Sequence, residues 1–364
     1  MCATRKPSEL DVKTMAKAKR IRIKCDAPAT AGIKLVLVTR FEELLNWRDG
    51  ALDWTDPEGV HSMRVASRRL RSALRDFMPH VRKRRLAPVL KRLKGLADTL
   101  GEVRDHDVAI LGLEEMEKHA PKESSTALKE LIEIRKAVRD EARRELEVIL
   151  APEKLQELAT EFVACVDDAT ALSERKSKHG LAEAEMTFAT MSRAIILGRL
   201  KDFEKLSNAL FRPLEAEPLH ELRIAVKRLR YAIELFQRCW PRSIVTHAKR
   251  AARMQTALGD IHDCDVWIAS IGKQIVRARK HDDSDRVKGL VSLLSHFNKL
   301  RTKHMRRALA RWGEWEAHDS TGKLRATLAP KEKVEIPEVP EMPAIVEAEV
   351  SATQVAGEQM RQGL

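Results

Sequence analysis

Residues 60–77, VHSMRVASRRLRSALRDF, return 159 positions later as LHELRIAVKRLRYAIELF at 219–236. A second block, LGEVRDHDV from Leu100, returns as LGDIHDCDV from Leu258 at a shift of 158. Two blocks in one order and nearly one register mark an internal duplication. The chain must therefore satisfy one packing scheme twice, and any fold that cannot be built as two similar halves is excluded.

The repeated stretch reads as helix. Wound at about 100° per residue, Met63, Ala66, Leu70, Ala73, Leu74 and Phe77 gather on one side as a core-facing stripe. His61, Arg64, Arg68, Arg71 and Arg75 gather opposite, and the second copy repeats them as His220, Arg223, Lys227 and Arg230. A solubilising face mixes both charge signs, often as Glu–Lys pairs four residues apart. These faces carry one sign. Arginine forks suit phosphate because they give bidentate, charge-assisted bonds, and rungs one turn apart sit about 5 Å from each other along the axis. The pattern points to a polyanion.

Apolar periodicity extends the helical reading along the chain. Helices are expected at about 30–47, over the basic stretch, at 84–113 with irregularity near Gly95 and Gly101, at 125–150, and from Pro152 to about 172. Asp49-Gly50 and Asp56-Pro57 read as breaks, and Pro79 as a stop. SERKSKHG at 173–180 reads as a linker, after which helices recur at about 184–211, 219–239, 243–272 and 284–312. The fold class is all-α, an internal duplication with about four helices per half. The boundaries are a flexible basic arm over 1–26, a first half over 27–172, a second half over 184–316, and a disordered tail over 317–364. From Pro330 that tail holds seven Glu against two Lys and one Arg, with few large apolar groups to offset chain entropy.

The whole chain of 364 residues carries a net charge of +13, and the acidic tail makes the remainder more basic still. Such a balance asks for an anionic partner without naming it. The five cysteines are odd in number and scattered, so neither a disulfide framework nor a zinc site is expected, and a reducing compartment is. No apolar run is long enough for a membrane span, and the basic N-terminus lacks the apolar segment of a secretory signal. The expectation is a cytoplasmic protein.

The paired H-x-x-R-x-x-x-[KR]-x-x-R stretches, each followed by LG-x-x-[RH]-D-x-D-V, resemble the CHAD domain family, the conserved histidine α-helical domain, over about 27–316. The resemblance implies two four-helix bundles related by a pseudo-two-fold, and binding of inorganic polyphosphate through basic residues lining a central cleft or pore. The matching positions are His61, Arg64, Arg68, Arg71, Arg75, His220, Arg223, Lys227 and Arg230. Lys91, Lys94, Lys249 and Arg253 on the LG helices, and Arg139, Arg143 and Arg306 on the long helices, extend the expected phosphate-binding set. The chain departs from strict duplication where Arg104 is matched by His262 and His106 by Cys264. No E-x-E-x-K strand pattern accompanies the module, so triphosphate-tunnel catalysis is not carried over.

Other readings of the same residues stay open. His61 and His220 could be metal ligands, but no H-x₃-H or C-x₂-C spacing supplies companions, so no metal and no cofactor are expected. Asp105, Asp107, Asp263 and Asp265 could serve a metal-dependent phosphohydrolase. The simpler account has them accepting from arginines of the neighbouring basic helix. Catalytic residues are therefore expected to be none, and the protein is read as non-enzymatic. Nucleic acid fits the charge but is disfavoured, since stacking aromatics and a groove-reading motif are both lacking. Polyphosphate granules would be the matching location. The oligomeric state is not readable.

Overall fold

The computed structural model describes residues 19, 21–118, 122–171 and 186–329. The first 18 residues of the expected arm, the linker at 173–180 and the chain beyond 329 lie outside the described residues. The elements in order are α1 (Ala29–Leu45), α2 (Arg48–Leu52), α3 (Pro57–Phe77), α4 (Lys83–Lys118), α5 (Lys122–Ile149), α6 (Pro152–Thr170), α7 (Phe188–Leu206), α8 (Ala216–Phe236), α9 (Ile244–Lys280), α10 (Ser284–Ala317) and α11 (Ser320–Thr327). Among the described residues the only extended pairing is an isolated bridge between Pro28 and Thr187. The fold is all-α.

Local chemistry sets the helix starts. Asp56 accepts from the Glu58 amide with Pro57 in the first turn of α3, Thr187 caps α7, and Asp283 caps α10. Two expected irregularities are corrected. Asp49-Gly50 lies inside the short α2, the break falling before it at residues 46–47, and α4 runs unbroken through Gly95 and Gly101. Gly59 has a specific use: a Cβ there would collide with the Gly50 carbonyl, so α2 can lie against the start of α3.

α3 and α8 pack side by side at the middle of the molecule, and α1 touches α7. All six stripe residues of α3 are buried, as are their counterparts Leu222, Ala225, Leu229, Ala232, Ile233 and Phe236. Phe77 and Phe236, which end the two helices, meet with ring centroids 5.9 Å apart, and Phe188 closes the cluster at 5.3 Å from Phe236. Gly32 leaves room for the Phe188 ring, which a Cβ would strike. A buried ion pair crosses the same interface: Arg199 of α7 donates from Nε and Nη2 to one oxygen of Asp76, at 3.0 and 2.7 Å.

Outward from this centre, α3 packs on α4 and α8 on α9, and α4 and α9 pack along α5 and α10. Farther out, Trp267 of α9 packs against Ile110, Leu113 and Ile132 of the α4–α5 pair. The helices α4, α3, α8 and α9 therefore form a circuit that Trp267 closes.

Three further expectations, one about the cysteines and two about boundaries, are corrected. Cys25 and Cys239 are joined in a disulfide, which removes the cysteine argument for a reducing compartment. That bond, with Ile21 in the core, anchors the last residues of the supposed flexible arm. The tail does not begin at 317. Leu324 and Leu328 are fully buried, Ser320 receives a bond from Arg250 at 2.9 Å, and Trp315 donates to Thr321 at 3.0 Å, so the packed chain continues through α11. Sequence periodicity passed over α11 because its eight residues, about two turns, carry a single leucine and are too short to show a stripe. No helix of the described residues is long and apolar enough to cross a membrane.

Candidate polyanion site

The basic faces of α3 and α8 are not the open wet faces expected from winding alone. Because each helix lies between its partner and its own LG helix, His61, Arg64, Arg68, Arg71, Arg75, His220, Arg223, Lys227 and Arg230 are all partly buried. Two ladders thereby become one group. Burial holds the Arg64 guanidinium below its ordinary pKa against the pull of Asp105, and the charges of Arg68 and Arg104 push it the same way. Burial likewise lowers Arg223, opposed by Asp263 and reinforced by Arg68 and Arg64 of the other half. The buried Nε atoms of Arg68 and Arg223 meet no acceptor. Positive charge from both halves is concentrated where the local carboxylates do not saturate it.

The two aspartates of each D-x-D divide their work. Asp105 of α4 accepts from Arg64 at 3.3 Å, and Asp263 of α9 is the carboxylate that acts on Arg223. The second aspartates face the other way. Asp107, 4 % exposed, is flanked by Arg143 at 3.5 Å and Arg139 at 3.7 Å from α5, and Asp265 takes Arg301 of α10 at 2.5 Å. The helix α4 or α9 is thus held between a ladder and a long helix, its arginines oriented by carboxylates. Arg139 and Arg143, expected to contact phosphate, are engaged in this wall. Arg139 also reaches Asp140 at 3.0 Å, and Arg143 lies 4.9 Å from the Trp54 ring centroid, a cation–π contact.

Arg301 was absent from the expected set, although it stands 158 residues after Arg143, in the register of the repeat. The signal was present in the register of the repeat. Arg306 is exposed, as are Lys91, Lys94, Lys249 and Arg253. Arg230 turns to Glu234 at 2.7 Å and Gln255 at 3.3 Å, so its contribution to the ladder is shared. Arg92 is bound to Glu161 of α6 at 2.7 Å.

The histidines that open the ladders have different neighbours. His220 Nδ1 lies 3.2 Å from His262 Nδ1, with ring centroids 4.5 Å apart. The counterpart of His262 in the first half is Arg104. Among the described residues no three His, Cys, Asp or Glu side chains gather as a metal site would require.

A profile of the CHAD domain matches residues 36–272. The chain belongs to the CHAD domain family. This is a family associated with polyphosphate binding. Among solved structures, the CHAD domain from the plant Ricinus communis is similar at a TM-score of 0.58 and 21% identity, over 90% of this chain and 99% of that one. PptA from Streptomyces chartreusis is similar at 0.57 and 12% identity, over 79% of this chain and 100% of that one. At these identities the likeness concerns the fold. A search of curated proteins finds no match.

Proposed function

We propose that this CHAD domain binds inorganic polyphosphate on the joined ladders of α3 and α8, without turning it over. The observation that supports the reading is the meeting of Arg64, Arg68 and Arg223, where the charge of Arg68 lowers both Arg64 and Arg223, with unsatisfied Nε donors on Arg68 and Arg223. Such a cluster is relieved by an anion whose charges are as closely spaced as the guanidiniums. A phosphoanhydride chain meets that condition with no need for base stacking. The exposed Lys91, Lys94, Lys249, Arg253 and Arg306 serve as a surrounding field that speeds encounter and contributes little contact energy. Association with polyphosphate-rich granules would follow from such binding.

The test is a competition titration of long polyphosphate, short polyphosphate, single-stranded DNA and duplex DNA at fixed salt. Long polyphosphate should win. The triple variant Arg64→Ala, Arg68→Ala, Arg223→Ala should lose most of the affinity and flatten the salt dependence by about two logarithmic units per decade, at ~0.7 per lost contact. The control Lys91→Ala, Lys249→Ala should lose little. Equal losses in both variants would mean diffuse attraction and no built site, and a win for DNA would move the chain to a nucleic-acid role.

A further inference from the structure

The long helices α5 and α10 share one arginine and then diverge. On α5, Arg143, Arg139 and Arg135 stand four residues apart and share a face. At the repeat shift of 158 their counterparts on α10 are Arg301, Phe297 and Leu293. Arg143 and Arg301 do the same work, each on the second aspartate of its own D-x-D. Beyond that point α10 turns apolar: Phe297 stacks on Trp267 with ring centroids 5.5 Å apart, and Leu293 packs against the buried Ile271, Ile275 and Leu290. The face of α5 stays cationic. Arg139 still reaches Asp107, whereas Arg135, partly buried, has no carboxylate at ion-pair distance among the described residues. Its charge bears on His106 of α4, which burial, Arg135 and Arg139 hold below its ordinary pKa against the pull of Asp105. Cys264 stands at the position of His106 in the second half. Helix register places this group in the circuit. His106 follows the Asp105 that accepts from Arg64, and it shares a face of α4 with Ile110 and Leu113, four and seven residues on. Arg135 comes one turn after Ile132. Because Trp267 packs on Ile110, Leu113 and Ile132, His106 and Arg135 lie on the wall between the ladder and that closure.

We propose that His106 and Arg135 form a second phosphate subsite, present on the first half alone, so that a polyphosphate chain longer than the ladders continues along α4 and α5 and not along α9 and α10. The inference rests on the polyphosphate reading. A half-buried guanidinium that faces a histidine and a second arginine, with no carboxylate of its own, is short of a counter-ion. A phosphate oxyanion supplies it, and the planar fork of Arg135 suits that partner. Arg135 stands two turns beyond Arg143, about 12 Å along α5. A chain that covers only the ladders ends short of it, and a longer one engages both. On the other half the matching Cys264, Leu293 and Phe297 offer an oxyanion no charge. The repeated ladders thus carry a one-sided extension, and a long chain seats off-centre on them.

The test is calorimetric titration of the full chain, at several salt concentrations, with two size-fractionated polyphosphates: one short enough to cover the ladders alone, and one long. Arg135→Ala should weaken the long chain by about tenfold, the share of one charge-assisted contact, and lower its salt slope by ~0.7. The short chain should bind this variant as it binds wild type. Arg135→Lys, which keeps the charge and loses the fork, should recover part of the loss on the long chain. His106→Gln should show the same dependence on chain length to a smaller degree. Lys299→Ala, which removes an exposed cation from α10, controls for overall charge and should change neither titration. Equal weakening of both chains by Arg135→Ala, or a loss on the long chain no greater than that of Lys299→Ala, would overturn the subsite while leaving the ladders intact. Failure of wild type to bind either chain would overturn the polyphosphate reading, and this inference with it.

Discussion

Arg40 and Arg199 stand 159 residues apart, and both are buried, 8 % and 5 % exposed. Each has a carboxylate three residues on, Glu43 at 2.6 Å and Asp202 at 3.4 Å, but Arg199 alone has a second, Asp76. Removing Asp76 leaves a guanidinium dehydrated and short of its main partner. Asp76→Ala should therefore cost about 3–5 kcal/mol in urea unfolding, whereas Asp76→Leu with Arg199→Met should return close to wild type. A double variant as unstable as the single one would show that packing, not charge burial, dominates there. Histidines give the pH dependence. His80, half-buried, and His262, half-buried beside ladder cations, are both held down at about 4. Neutral in the fold, they charge more readily in the unfolded chain, which binds the extra protons below its ordinary value near 6.5. Stability should fall as pH drops from about 6.5 to about 4, and His80→Gln should remove part of that slope in urea midpoints measured across the window.

The helices differ in how plainly the sequence announced them. In α3 a full apolar stripe opposite a run of arginines leaves one solution, and all six stripe residues are in the core. The D-x-D carboxylates were also legible, since a repeated acid beside a repeated base is most simply its partner. What the helical wheel could not supply was the second neighbour. A wheel places arginine opposite the core, but α8 lies along α3, so that face is half-buried and shared between halves. Nor could residue type alone sort Arg143, which anchors the wall through Asp107, from the ladder arginines. At α11 the signal was too short to read, and the structure places Leu324 and Leu328 in the core. Ending the chain at 318 should expose the surface those side chains cover, at about 1.5–3 kcal/mol each, and lower Tm by on the order of 10 °C relative to a chain ending at 329. Equal Tm values would mean that α11 contributes nothing to the fold.

At the scale of the whole molecule, Cys25 and Cys239 tie the entry to α1 to the turn after α8, across 214 residues of sequence. Closing so long a loop removes freedom from the unfolded chain, by up to about 5 kcal/mol in the chain-entropy account and less where the unfolded state keeps structure. Reductant should lower Tm in wild type and leave Cys25→Ser unaffected; the same shift in both would mean the two sulfurs are not bonded in solution. The circuit of α4, α3, α8 and α9 has a different kind of consequence. On the proposed reading, a polymer held inside the circuit that Trp267 shuts against the Ile110, Leu113 and Ile132 cluster would have to be threaded from a free end. Arrival should then be counted in chain ends and departure in chain length. At equal total phosphate, shorter chains would load faster and longer ones would stay longer, a ring-closed polyanion would be refused, and Trp267→Ala would admit it.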